Sequence, residues 1–98
     1  MLDTKALDTK ILERINFGLE TKSASVTVNA GNLASVTVPL PTKKAIGIVG
    51  VTVSGTGSAN MSIWQTELRS TDTTVSLTNT SGTNRTVTVY VQYIVVDG

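Results

Sequence analysis

Apolar and polar residues alternate one by one through most of this chain, most regularly in residues 73–96, TTVSLTNTSGTNRTVTVYVQYIVV. Val75 and Leu77 alternate with Thr74, Ser76 and Thr78. Val87, Val89 and Val91 alternate with Thr86, Thr88, Tyr90 and Gln92. A period of two sends one set to each face of a strand. The turn-forming stretch Asn79-Thr80-Ser81-Gly82-Thr83-Asn84 separates the two runs, so the pattern predicts a β-hairpin with one buried and one wet face.

The same grammar runs upstream. Ala24, Val26 and Val28 alternate with Ser25, Thr27 and Asn29. Past the turn at residues 29–32, Val36 and Val38 share a face, and the pair of runs predicts a first hairpin. Pro39 and Pro41 stop it, because proline cannot donate to a ladder. Residues 45–53, AIGIVGVTV, are denser in apolar side chains and predict a central strand covered on both faces. Gly47 and Gly50 mark a bend in it or a close approach by a neighbouring backbone. A Ser/Gly loop at 54–60, a strand at 61–66 and a polar connection at 67–72 complete the chain. Six or seven short strands, with turn signals about every 8 to 12 residues, predict a mainly-β domain over residues 23–98. Its expected fold is an antiparallel, jelly-roll-like β-sandwich.

Residues 1–20 break the pattern. Leu7, Ile11, Leu12, Ile15 and Leu19 recur at helical spacing while Lys10, Glu13 and Arg14 face away. Asp3 or Thr4 suits the N-cap and Gly18 the C-terminal cap, which predicts a short amphipathic helix. A helix this short is marginal alone, so its stripe must pack on something. Two readings stay open: it docks on its own sheet, or it bundles with the same helix of sister chains through Leu7, Ile11 and Ile15.

Composition narrows the class. The chain has 98 residues, one domain's worth, with a formal net charge of +1 and no cysteine or histidine. Thr and Ser make up about a quarter of it, as strand surfaces favour. No basic stripe with interleaved aromatics is present, so no nucleic-acid partner is expected. Nor does any stretch approach the roughly 18 apolar residues of a membrane span. Residues 1–20 lack the apolar core of a secretion signal, so synthesis in a cytoplasm is expected. A modest core at this length favours self-association.

Reactive chemistry is sparse. Without His or Cys there is no usual general base, thiolate or zinc-ligand set, and no cofactor or metal site is expected. Glu67 and Asp72 lie close in sequence, but nothing enforces a glycosidase geometry, and a solvated turn accounts for them. Asp3, Asp8, Glu13 and Glu20 read as the solvated face of the helix. Gly55-Thr56-Gly57 lacks the Lys-Ser/Thr of a phosphate loop. The sequons at Asn60, Asn79 and Asn84 are chance matches in a chain rich in Asn, Ser and Thr. Catalysis is therefore not expected. Two aromatics fall out of phase with their apolar neighbours. Trp64 joins Ser62 and Thr66, and Tyr90 joins Thr88 and Gln92, with Ile94 and Val96 further along the same face. Such aromatics stack on sugars or are covered by another subunit. Trp64 is the candidate glycan contact, and Tyr90, Ile94 and Val96 are candidate oligomer contacts.

Residues 46–96, IVGVTVSGTGSANMSIWQTEL followed by TVSLTNTSGTNRTVTVYVQYIVV, resemble the C-terminal β-head of phage and prophage tail-fibre and minor structural proteins. SASVTVNAGNLASVTVPLP is similar to the strand pair that precedes such heads and related H-type-lectin-like folds. The resemblance implies a homotrimeric virion component with an N-terminal helical bundle and a β-sandwich head. Its implied partners are its own copies, other virion proteins and a host-surface glycan. The chain departs from that pattern in having no long shaft, which keeps a head fibre, a capsid decoration protein and a small accessory tail protein open; a soluble carbohydrate-binding module is a further alternative.

Overall fold

The computed structural model describes residues 17–97. Six strands follow in order: β1 (Phe17–Val28), β2 (Leu33–Pro39), β3 (Lys44–Ser54), β4 (Met61–Leu68), β5 (Asp72–Asn79) and β6 (Arg85–Val96), with a 3-10 turn at Ser58–Asn60 before β4. They form two antiparallel three-stranded sheets, ordered β1-β6-β3 and β2-β5-β4. The mainly-β expectation holds. Gly18 and Leu19, expected at a helix end, instead lie in β1, which begins at Phe17. The rest of the expected helix, with Leu7, Ile11 and Ile15, lies outside the described residues.

The expected hairpins are not hairpins. β5 pairs with β2 and β4, while β6 pairs with β1 and β3. β1 and β2 likewise belong to different sheets. Each of these turns is an arch that carries the chain from one sheet to the other. Among the described residues the sole hairpin is β4–β5, closed by the Arg69 N–H on the Asp72 carbonyl at 2.8 Å. Alternation specifies which face a residue takes and leaves open which strand lies alongside, so arch and hairpin look alike in sequence.

Valine fills the space between the sheets. Val28, Val36, Val38, Val75, Leu77, Val87, Val89, Val91, Tyr93 and Val95 are all buried, drawn from both sheets. β-branched side chains have few rotamers to lose and pack closely on pleated surfaces. β5 and β6 are the central strands and carry most of this core. Two polar residues pin its ends. At one end Asn79 is fully buried, and its amide donates to the carbonyls of Val28 (2.9 Å) and Thr83 (2.8 Å). Its Oδ1 accepts from the Ser81 N–H (2.9 Å) and hydroxyl (2.7 Å). At the other end the buried Tyr93 hydroxyl lies 2.6 Å from the Thr73 hydroxyl and 3.2 Å from the Pro39 carbonyl, tying β6 to the opposite sheet.

β3 corrects the expectation of a doubly covered central strand: it is a sheet edge with two bulges. Ala45, Ile48, Val51 and Val53 pair with buried residues of β6, whereas Ile46 and Val49 are the extra residues, 51% and 53% exposed. Each bulge opposes two residues to one, so the inward set recurs at three and the run looks apolar throughout. Gly47 and Gly50 follow the two extra residues. An added Cβ at either would meet nothing within 4 Å, so they mark the bulges and not a close backbone approach.

Glu20, expected on a solvated helix face, instead fastens the β2–β3 connection. Its carboxylate accepts from the Thr42 N–H (2.7 Å), the Thr42 hydroxyl (2.8 Å) and the Lys43 N–H (3.4 Å). The Thr42 backbone bond, the Thr42 hydroxyl and the Lys43 backbone bond, with Lys22 nearby, hold its pKa below the ordinary 4.5. A carboxylate whose folded pKa is depressed adds stability above its unfolded pKa and loses it as pH falls through the folded value. The stability gap between wild type and Glu20→Gln should therefore be full at neutral pH and close below about pH 4.5. Urea melts at pH 7 and pH 3 check this; an equal gap at both contradicts the clamp. For the core, Asn79→Asp should cost about 2–4 kcal/mol, because a carboxylate cannot donate to the two carbonyls left behind. Tyr93→Phe should cost about 1 kcal/mol. Both are read from the urea midpoint at constant slope.

Candidate functional site

The surface with the most unusual composition is the outer face of the β1-β6-β3 sheet. Register sets it out in pairs: Thr27 with Thr86, Ser25 with Thr88, Ser23 with Tyr90, Thr21 with Gln92, Leu19 with Ile94 and Phe17 with Val96. Cross-strand partners share a face, so this row grades from hydroxyl to hydrocarbon. At the polar end Thr27 and Thr86 hydroxyls lie 2.8 Å apart, and those of Ser25 and Thr88 3.3 Å. At the other end Phe17, Gly18, Leu19, Ile46 and Ile94 line an almost wholly apolar basin of about 350 Å³. Phe17 is 50% exposed and Leu19 63%.

Tyr90, Ile94 and Val96 share this face, as expected from their spacing. Tyr90 borders a shallow groove with Thr21, Gly50, Thr52 and Gln92, and the absent side chain of Gly50 opens that groove. Phe17, Leu19 and Ile46 join them in space; of these the sequence pattern marks only Leu19, and as part of a helical stripe. In residues 17–20 the usual pattern is inverted: the outward positions, Phe17 and Leu19, are apolar, while the alternate ones are Gly18 and Glu20. Alternation between Phe17, Gly18, Leu19 and Glu20 was the available signal, and the competing helical spacing of Leu19 masked it.

Trp64 stands elsewhere. It is the extra residue of a bulge in β4 between Ile63 and Gln65 and is 55% exposed. That bulge corrects the expected phase. Ser62 pairs with Thr78, while Thr66 pairs with the buried Val75, so Ser62 and Thr66 lie on opposite faces. Ile63 and Leu68 pair with the buried Leu77 and Thr73, yet remain 36% and 38% exposed. The sandwich is open along this edge. A groove of about 330 Å³ nearby has Leu40, Pro41, Ala45 and Leu68 in its walls, with Lys43, Lys44 and Arg69 also lining it. Two of these cations are in ion pairs, Lys43 with Asp97 and Arg69 with Asp72, each at 3.1 Å.

No protein-family model, curated protein or solved structure matches the chain. Its surfaces must therefore be interpreted from their own chemistry. Among the described residues no three of His, Cys, Asp and Glu gather as metal ligands, and no helix is long and apolar enough to cross a membrane. Asp72 faces Arg69 in the hairpin turn and accepts from the Thr71 hydroxyl at 3.4 Å. Asn79, one of the three sequons, spends its amide hydrogens on two carbonyls inside the fold. Gly55 and Gly57 take positive φ in the β3–β4 arch, and a Cβ on Gly57 would meet the Arg85 side chain at 2.6 Å. The loop is thus packed against the Arg85 side chain of β6.

Because Trp64 is the single tryptophan, it reports on its own surroundings. At a dilution where the chain is dispersed, its emission should be that of a wet indole and iodide should quench it freely. Loss of quenching on concentration would place it inside a self-contact, whereas loss on adding a glycan would place it at a sugar site.

Proposed function

We propose that this chain is a non-enzymatic structural component of a phage virion, a homotrimeric tail- or fibre-type protein whose β domain contacts host-surface carbohydrate. The observation that carries the self-association is the apolar basin of Phe17, Leu19, Ile46 and Ile94 at the Phe17 end of the sheet. A patch of this kind, rimmed by polar side chains, marks an interaction surface. The resemblance of residues 46–96 to phage β-heads supports the virion setting. Every connection but the β4–β5 hairpin crosses between the β1-β6-β3 and β2-β5-β4 sheets, and that order supports a reduced jelly-roll fold. Trp64, an exposed aromatic on an edge bulge, supplies a stacking surface for a sugar ring.

A second reading, capsid decoration or head fibre with a purely structural role, is favoured by Ile63 and Leu68. These two sit exposed on the same strand as Trp64 and suit a protein neighbour better than a glycan. Light scattering should give about three times the 10.3 kDa chain mass. Imaging of virions that carry the tagged protein should find it at the tail or fibre; capsid density selects the second reading, and its absence from virions overturns both. On a glycan array, wild type should bind at least one saccharide and Trp64→Ala should lose about tenfold or more in affinity, a loss of about 1.4 kcal/mol. Silence from folded wild type rules out the carbohydrate role.

A further inference from the structure

Midway along the outer face of the β1-β6-β3 sheet lies a feature of different chemistry from the apolar basin. The rows Thr21–Gln92–Gly50 and Ser23–Tyr90–Thr52 cross the sheet side by side. Gly50 brings no side chain to its row, and the gap is a groove of about 280 Å³ lined by Thr21, Gly50, Thr52, Tyr90 and Gln92. Further along the face the hydroxyls are spent on one another, Ser25 with Thr88 and Thr27 with Thr86. Around the groove they are not. Among the described residues, the hydroxyls of Thr21, Thr52 and Tyr90 and the side-chain amide of Gln92 have no hydrogen-bond partner.

We propose that this groove is a second saccharide site, on the opposite sheet from Trp64, and that it takes an uncharged sugar ring. The proposal rests on the carbohydrate role in the reading above and adds where, and by which groups, a sugar is held. Tyr90 is 37% exposed and forms an aromatic wall beside four unspent polar groups. An aromatic wall with a few convergent polar groups is the usual make-up of a small-ligand site, and its π face suits the C–H face of a sugar ring. Each free hydroxyl donates and accepts, and the Gln92 amide does both, which matches the hydroxyls of a sugar. A protein surface pressed on the same spot would bury those groups against hydrocarbon, and each one left unpaired costs free energy. None of the five lining residues is charged, so nothing in the groove offsets the desolvation of an acidic sugar. The volume lies near the lower end of ligand pockets, roughly 300 Å³, which fits one ring better than a chain of them. This use of Tyr90 replaces the subunit contact expected of it.

NMR titration of the isotope-labelled full-length protein tests the site. The probes are the methyl glycosides of glucose, galactose, mannose and N-acetylglucosamine, with glucuronic acid as the charged control. At least one neutral glycoside should shift the amide signals of Thr21, Gly50, Thr52, Tyr90 and Gln92, and glucuronic acid should not. Trp64→Ala should leave those shifts in place. Gly50→Phe fills the groove without backbone strain, because Gly50 has no positive φ and an added Cβ would meet nothing within 4 Å. It should raise the dissociation constant about tenfold or more without shifting the urea midpoint. Gln92→Leu, which keeps the bulk and removes the amide, should also weaken binding. Glycoside shifts confined to the surroundings of Trp64, or an affinity unchanged in either groove variant, overturn the groove site and leave the carbohydrate role standing. Glucuronic acid binding here as tightly as the neutral glycosides, or alone, overturns the uncharged ligand. No shift from any of these sugars in folded wild type overturns the groove site, while the glycan array decides the carbohydrate role separately.

Discussion

The fold depends on the amide of Asn79. It sits where β5 leaves one sheet and the chain must arrive in the other. Its Oδ1 holds the Ser81 N–H in an Asx turn, while its amide hydrogens hold the Thr83 carbonyl of the same arch and the Val28 carbonyl at the end of β1. Its own backbone completes the tie, bonding Asn32 and Gly31 in the β1–β2 arch at 3.0 Å each. One buried side chain thus fastens both arches at one end of the sandwich. A hairpin between β5 and β6 would satisfy their backbones equally well but does not call for the bond from this amide to the Val28 carbonyl of β1. Buried polar groups carry a full desolvation cost when unpaired, so the network selects the arch over the hairpin.

Tyr93 and Glu20 do comparable work at the opposite end. The Tyr93 hydroxyl reaches Thr73 and Pro39 across the core, and Glu20 gathers Thr42 and Lys43. Between the two ends the valines need no specific partner, only burial. Each fully buried side chain of this size contributes about 1.5–3 kcal/mol, which stabilises the sandwich without choosing among its possible connections. Specificity of topology therefore resides in a few polar groups at the ends, and bulk stability in the hydrocarbon between them.

The outer face follows from how the edges are built. Two bulges in β3 turn out Ile46 and Val49 without breaking the inward row of Ala45, Ile48, Val51 and Val53. Ile46 then meets Phe17, Leu19 and Ile94, and the sheet gains an apolar end next to a hydroxyl ladder. Bulges also blunt an exposed edge against indiscriminate pairing. In β4 the same device displays Trp64. The bulges thus protect both edges and aim their large apolar residues at the surface, which suits a protein that works by contact.

The sequence by itself determined that this is a β protein, which residues of β5 and β6 face inward, and that Tyr90, Ile94 and Val96 share a face, because a strand's period of two is a local property. It also showed the lack of His and Cys. The tertiary structure decided which strands pair, because alternation is identical in a hairpin and an arch. It decided the phase at Trp64 and in β3, because a bulge shifts register by one residue and leaves no fixed mark in composition. It placed Phe17 and Leu19 in a strand, where pairing with Val96 and Ile94 outweighed the helical spacing of Leu19. Local patterns are written residue by residue, whereas pairing is settled by which distant backbone and buried amide each strand end finds.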